Sequence, residues 1–279
     1  MELWYSLVDF LLPFDWTNHM FMKNALLAVI LVCPLFGLLG TMIVNNKMAF
    51  FSDAIGHSAL TGIAIGVLLG MQNPILSMLA FSIILALGIS AARNISLNST
   101  DTIIGTFSST AVALGIVILS KGGGFAKYSS YLIGDLLSIT PMDLALLFFV
   151  FIFIIITWIL IFNKLFLASI NKSLAVSKKV NTVFVETAFT LIVAVIVTIS
   201  IQWLGILIIN SMLVLPSASA RNLSSNIKQY HIFSILISLI SGIAGLILSY
   251  YWGTATGATI VIVSAIFYLL SLFMVRTRN

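Results

Sequence analysis

MDLALLFFVFIFIIITWILIF, residues 142–162, carries no charged side chain from Leu144 to Phe162. Such a run can cross a hydrocarbon core about 30 Å thick, which takes about 20 apolar residues in a helix. Reading outward from it, similar runs lie near 24–44, 48–69, 74–92, 102–120, 182–201, 203–215, 230–250 and 256–274. As one helix, Thr182 to Leu215 would be about 50 Å long, too long for one crossing, so it is divided near Gln202 and Trp203. The chain is expected to be an all-α integral membrane protein, a polytopic helical bundle of about nine transmembrane helices. Its membrane domain occupies 24–275, between an external N-terminal segment, 1–23, and a cytoplasmic tail, 276–279.

Composition agrees with this. Of 279 residues, 61% are hydrophobic and only 8% charged, whereas soluble domains carry about 25% Asp, Glu, Lys and Arg. There is too little polar surface to coat a water-soluble globule. The only cysteine, Cys33, lies within an apolar run, which excludes an intrachain disulfide, a CxxC motif and a multi-thiolate metal site. Glu2, Asp9 and Asp15 precede the first basic residue, Lys23, the wrong charge for a secretory signal. Segment 3–14 is expected as a short apolar helix along the membrane surface.

The net charge of +5 reads as a topology signal rather than as a nucleic-acid footprint. With the C-terminus inside, cytoplasmic segments hold Lys47, Arg93, Lys164, Lys172, Lys178, Lys179, Arg221, Lys228, Arg276 and Arg278, leaving Lys23, Lys121 and Lys127 outside. This bias places the N-terminus outside and the C-terminus in the cytoplasm. The longest external connection, Gly122 to Pro141, contains YLIGDLLSIT, too short to span and expected as a re-entrant or interfacial helix.

Charged groups within a span are costly, so each is a candidate for function. The span at 48–69, MAFFSDAIGHSALTGIAIGVLL, holds Asp53 and His57. At i and i+4 they share one helix face, and His57 lies roughly 13 Å into the bilayer, near the midplane. Carboxylate plus imidazole is half of a first-row divalent metal site, and a second copy of the chain across a two-fold axis would complete it. Taken alone, the pair is also readable as hydrogen-bonded packing, or less readily as a proton relay. Glu186, early in the 182–201 span, reads as snorkelling to the interface. Asn210 and Ser211 read as interhelical hydrogen-bond partners, Asp135 as a helix cap, and His19 and His231 as interfacial.

KMAFFSDAIGHSALTGIAIG at 47–66 resembles a segment of the form MAFFGDALSHSALPGVALG in the ABC-3 family, the membrane permeases of zinc, manganese and iron ABC uptake systems. The likeness continues through DTIIGTFSSTAVALGI at 101–116, YLIGDLLSIT at 131–140, GILIINSMLVLPSASARNLS at 205–224 and SYYWGTATGATIVIVSAIFYLLSLF at 249–273. It covers most of Asn24 to Phe273 in the family's order. Ser52 stands where relatives usually have Gly, and Thr61 where many have Pro, which is expected to straighten the helix locally.

The resemblance implies a permease homodimer in the cell (plasma or inner) membrane, with two copies of a cytoplasmic ABC ATPase and an extracytoplasmic metal-binding protein. It puts the family's metal-site aspartate and histidine on Asp53 and His57. It also matches the loop after LVLPSASAR, about 216–229, to the position where such permeases present a cytoplasmic coupling helix to the ATPase, with Ser217, Ser219, Arg221 and Asn222 as contact candidates. The cargo is a divalent metal ion, zinc or manganese and conceivably iron, and no cofactor is held permanently. The chain has no GxxxxGK[ST] loop. GGGFAKYS at 122–129 fails that spacing, so ATP hydrolysis belongs to a separate subunit. A proton-coupled secondary metal transporter is the alternative, although no inverted repeat is evident. Without an HExxH pair, an intramembrane zinc protease is not supported.

Overall fold

Because hydrocarbon offers backbone groups no hydrogen-bond partner, spanning segments must satisfy their peptides internally. In the computed structural model, which describes residues 1–71, 73–122 and 133–276, every regular element is helical among the described residues. The helices are α1 (Glu2–Leu11), α2 (Met20–Asn45), α3 (Ala49–Leu68), α4 (Ile75–Ile95), α5 (Thr100–Gly122), α6 (Pro141–Ile170), α7 (Lys172–Ser177), α8 (Thr182–Leu204), α9 (Ile206–Leu223), α10 (Ile227–Trp252) and α11 (Thr256–Arg276). Short 3₁₀ turns occupy Asp15–Asn18 and Leu136–Ser138. Among the described residues eight helices, all of the long ones except α9, are long and apolar enough to cross a membrane. The chain is a multi-pass membrane protein.

Helix starts follow local chemistry. At α6, Pro141 opens the helix beside a capping box: Thr140 N and Oγ1 donate to Asp143 Oδ2, at 3.0 and 2.7 Å, and Asp143 N donates back to Thr140 Oγ1. Asn171, Asn181 and Asn226 accept from the backbone N–H of Leu174, Phe184 and Gln229, each satisfying a donor that the first helical turn leaves orphaned.

The nine expected runs each coincide with a helix, with three differences. First, α6 continues to Ile170, two turns past the polar Asn163 and Lys164 taken as its end. Second, the break after α8 falls at Gly205, whose φ of +81° only glycine adopts freely. Third, the coupling helix expected at 216–229 is not a separate element: α9 runs through Pro216 to Leu223 and α10 starts at Ile227, with a non-helical link only at Ser224–Asn226. The described part of YLIGDLLSIT is a single 3₁₀ turn capped by Asp135, which accepts from Leu137 N. Residues 131–132, most of GGGFAKYS with Lys127, and 277–279 of the expected tail lie outside the described residues.

Contacts divide the chain into two compact units. The first comprises Met1–Thr41, Ile133–Ile152 and Gln202–Asn279. Here α1 is tied to the start of α2 by an Asp9–Lys23 ion pair at 2.6 Å and by Trp4 Nε1 donating to Lys23 O. Serine hydroxyls of α10 bond α2 carbonyls: Ser234 to Gly37 O and Ser238 to Cys33 O. Gly242 lets α10 close over the buried Cys33 thiol. Gly134 and Gly205, both at positive φ, meet backbone to backbone, so a Cβ on either would overlap the other's main chain.

The second unit comprises Met42–Leu132 and Phe153–Ile201 and holds α3, α4, α5, α7 and most of α8. Ser90 Oγ and Thr187 Oγ1 hydrogen-bond α4 to α8 at 2.6 Å, and Asn45 donates to Ser169. Trp158 of α6 packs on Phe189 of α8.

Gly134→Ala and Gly205→Ala should each destabilise the protein by at least about 2 kcal/mol, the combined cost of left-handed backbone and overlap. Gly105→Ala, which meets open space, should be neutral. Thermal unfolding in detergent measures all three, and a wild-type midpoint for both of the first pair would contradict the backbone contact.

Candidate functional site

The site is built on α3. Lys47, at a φ of +54°, turns the chain out of α2, and α3 then runs unbroken to Leu68. Its small residues allow close neighbours: a Cβ on Gly62 would lie 2.6 Å from Met78 Cα of α4, and Gly115 of α5 rests on Thr61. Thr61 Oγ1 donates a short hydrogen bond to the Ala111 carbonyl of α5. A proline there could donate nothing, whereas the threonine ties α3 to α5. Ser52 is fully buried against its own helix.

From Phe51 to Ala64 every α3 residue is buried except Asp53, His57 and Leu60. These three, at i, i+4 and i+7, form one narrow stripe on an otherwise enclosed helix. The Asp53 and His57 side chains are 38% and 32% exposed within the chain. His57 Nε2 stands 3.5 Å from Asp53 Oδ1, longer than a normal N–H···O bond of 2.7–3.2 Å. Two ligands at about 2.1 Å from one tetrahedral ion would be separated by about 3.4 Å. The two donor atoms thus converge at the span of neighbouring metal ligands while remaining open on one side. Among the described residues no cluster of three or more His, Cys, Asp or Glu side chains is placed to hold an ion.

The other candidates are dispersed. Ser217 and Ser219 are fully buried. Ser217 Oγ hydrogen-bonds Ser234 Oγ at 2.8 Å, and Ser219 donates to its own helix at Leu215 O. Asn222 Nδ2 donates to Ser271 Oγ of α11, which leaves Arg221 as the exposed member of the four. Glu186 is 18% exposed and pairs with Lys172 at 3.6 Å. His19 stacks on Phe21, and His231 bonds the Ile227 carbonyl through Nδ1 and Thr41 Oγ1 through Nε2.

Sequence reasoning did not find the Thr61 tie, because its acceptor is a backbone carbonyl fifty residues away. Leu60 as third member of the open stripe was visible in the i, i+4, i+7 spacing. Its significance emerges only once its neighbours are known to be buried.

The chain is 32% identical over 250 residues to the high-affinity zinc uptake system membrane protein ZnuB of Haemophilus influenzae, covering 89% of this chain and 95% of that protein. It is 28% identical over 254 residues to the manganese transport system membrane protein MntC of Listeria monocytogenes, covering 91% and 90%. Its fold matches a chain of the structure of PsaBC from Streptococcus pneumoniae in complex with Fab, with a TM-score of 0.79 at 24% identity over the full length of both chains. The family model for the ABC 3 transport family matches residues 18–275, nearly the whole helical array, and the chain belongs to that family.

Proposed function

We infer that the chain is the membrane-spanning permease subunit of an ATP-driven importer of a divalent transition metal, zinc or manganese. The observation that carries this is the partly open Asp53–His57 pair, which shares with Leu60 the one stripe of α3 left unburied between Phe51 and Ala64. Membership of a transport family and the zinc and manganese functions printed in the relatives' names support it.

Asp53 Oδ1 and His57 Nε2 supply one oxygen and one nitrogen, a mixed donor set that suits both zinc and manganese. Two ligands do not complete a coordination shell, so a second permease copy facing the first across a two-fold axis supplies the other half. Such a site strips water from an arriving ion, yet it is divided between two bodies. Moving them apart halves the ligand set and releases the ion, which meets the need to bind and still let go. The charge bias of the loops sets the N-terminus outside, where an extracytoplasmic binding protein delivers the ion. The same bias sets Arg221 and the Ser224–Asn226 link inside, facing a cytoplasmic ATPase. Arg221, exposed at the last turn of α9, is the member of the four candidates placed to reach the ATPase.

In proteoliposomes containing the permease, its ATPase and its binding protein, Asp53→Ala and His57→Ala should each lower metal uptake by at least about tenfold. Even outer-shell partners of metal ligands are worth about 10- to 100-fold. Parallel assays of zinc, manganese and iron identify the cargo, and wild-type uptake in both variants would remove the pair from the pathway. Uptake should stop when ATP is withheld and should persist when a protonophore collapses the pH gradient. The reverse pattern would assign the pair to proton-coupled transport.

A further inference from the structure

The second unit contains a polar cavity of about 340 Å³, unusual in a chain this apolar. It is lined by Lys47 and Asn46 after α2, Arg93 in the last turn of α4, Thr100 at the start of α5, Lys172 at the start of α7 and Glu186 early in α8. Three cations face one carboxylate, leaving an excess of two positive charges (3 − 1). Glu186 is already paired with Lys172 at 3.6 Å. Arg93 Nη1 lies 3.3 Å from the thioether sulfur of Met48, a weak acceptor, and Arg93 shares the field of Glu186 with Lys172. An unneutralised cationic cavity between helix ends is complementary to an anion.

The surroundings say which anion. Apolar side chains within three residues of the lining positions are exposed: Phe50, Ile95, Ile170 and Phe184. Helix ends that carry both exposed apolar side chains and charged groups suit the boundary between headgroups and acyl chains. By the charge bias of the loops this end of the unit is cytoplasmic, the leaflet where basic pockets between spans meet anionic headgroups.

We propose that this cavity binds the phosphate headgroup of an anionic phospholipid of the cytoplasmic leaflet. Arg93 and Lys47 hold the phosphate, Lys172 lies at its rim, Glu186 limits the charge excess, and the exposed apolar residues rest against the acyl chains. The site requires only that the chain spans a membrane. It does not depend on the Asp53–His57 reading, and uptake results for that pair leave it untouched.

The test is unfolding of the purified full chain in a neutral detergent, with added phosphatidylglycerol, phosphatidylcholine of the same acyl chains, or sodium phosphate. Phosphatidylglycerol should raise the unfolding midpoint, and the other two should not. A basic residue near an anionic membrane surface is worth about fivefold in affinity. Arg93→Gln should therefore raise the phosphatidylglycerol concentration giving half the shift by about fivefold, and Glu186→Gln should lower it by a similar factor. Lys228→Gln, on α10 in the other unit, should leave it unchanged.

If Arg93→Gln does not fold, Lys47→Gln is read in the same way. Equal stabilisation by both lipids overturns the proposal, as does a wild-type midpoint in both charge variants. An equal response to sodium phosphate assigns the cavity to a free anion and overturns the lipid reading. Weakening by Glu186→Gln alongside Arg93→Gln would make the cluster a structural network, and would also overturn it.

Discussion

A peptide group in hydrocarbon has no water to bond, and every structural choice in this chain descends from that constraint. Helices close their own backbone bonds, so they alone carry the chain through lipid. Where one starts, a side chain takes over the orphaned donors, as Asp143 and Thr140 do for α6 and Asn226 does for α10. Hydroxyls inside the helices meet the same demand. Ser58 donates to Ile55 O of its own helix, while Ser234 and Ser238 reach carbonyls of α2. Hydrogen bonds of the second kind hold one helix to another, because in lipid the hydrophobic effect gives no push between them.

The same constraint gives the Asp53–His57 pair its meaning. A carboxylate and an imidazole deep in a span are expensive if lipid covers them. Here they lie on the only open stripe of α3 between Phe51 and Ala64. The cost is offset only if that stripe faces water, an ion or another protein. The packing of α3 leaves little else to vary: Gly62 and Thr61 fix it against α4 and α5, so the two side chains are presented by a packed helix and not by a loop.

Much of this was legible in the sequence because lipid simplifies the code. Apolar runs mark helices when no other element is allowed, and a lone acid and histidine four residues apart stand out against them. What was not legible has local or long-range causes. Lys164 and Asn163 looked like the end of a span, yet α6 runs on through them, since long polar side chains can leave a helix for the interface without breaking it. Pro216 suggested a stop, but it sits inside α9. The contact of Gly134 with Gly205 and the pairing of Glu186 with Lys172 depend on segments brought together only by folding. No periodicity announces them.

Cys33 has a practical consequence. It is the only thiol in the chain, 1% exposed, roofed by Gly242 and sealed within the first unit. Water-soluble maleimides and spin labels, which react with an accessible thiolate, should pass it by. Cysteines introduced elsewhere can then be labelled one at a time in an otherwise native background, and distances between labels would follow the helices through a transport cycle without first altering the core.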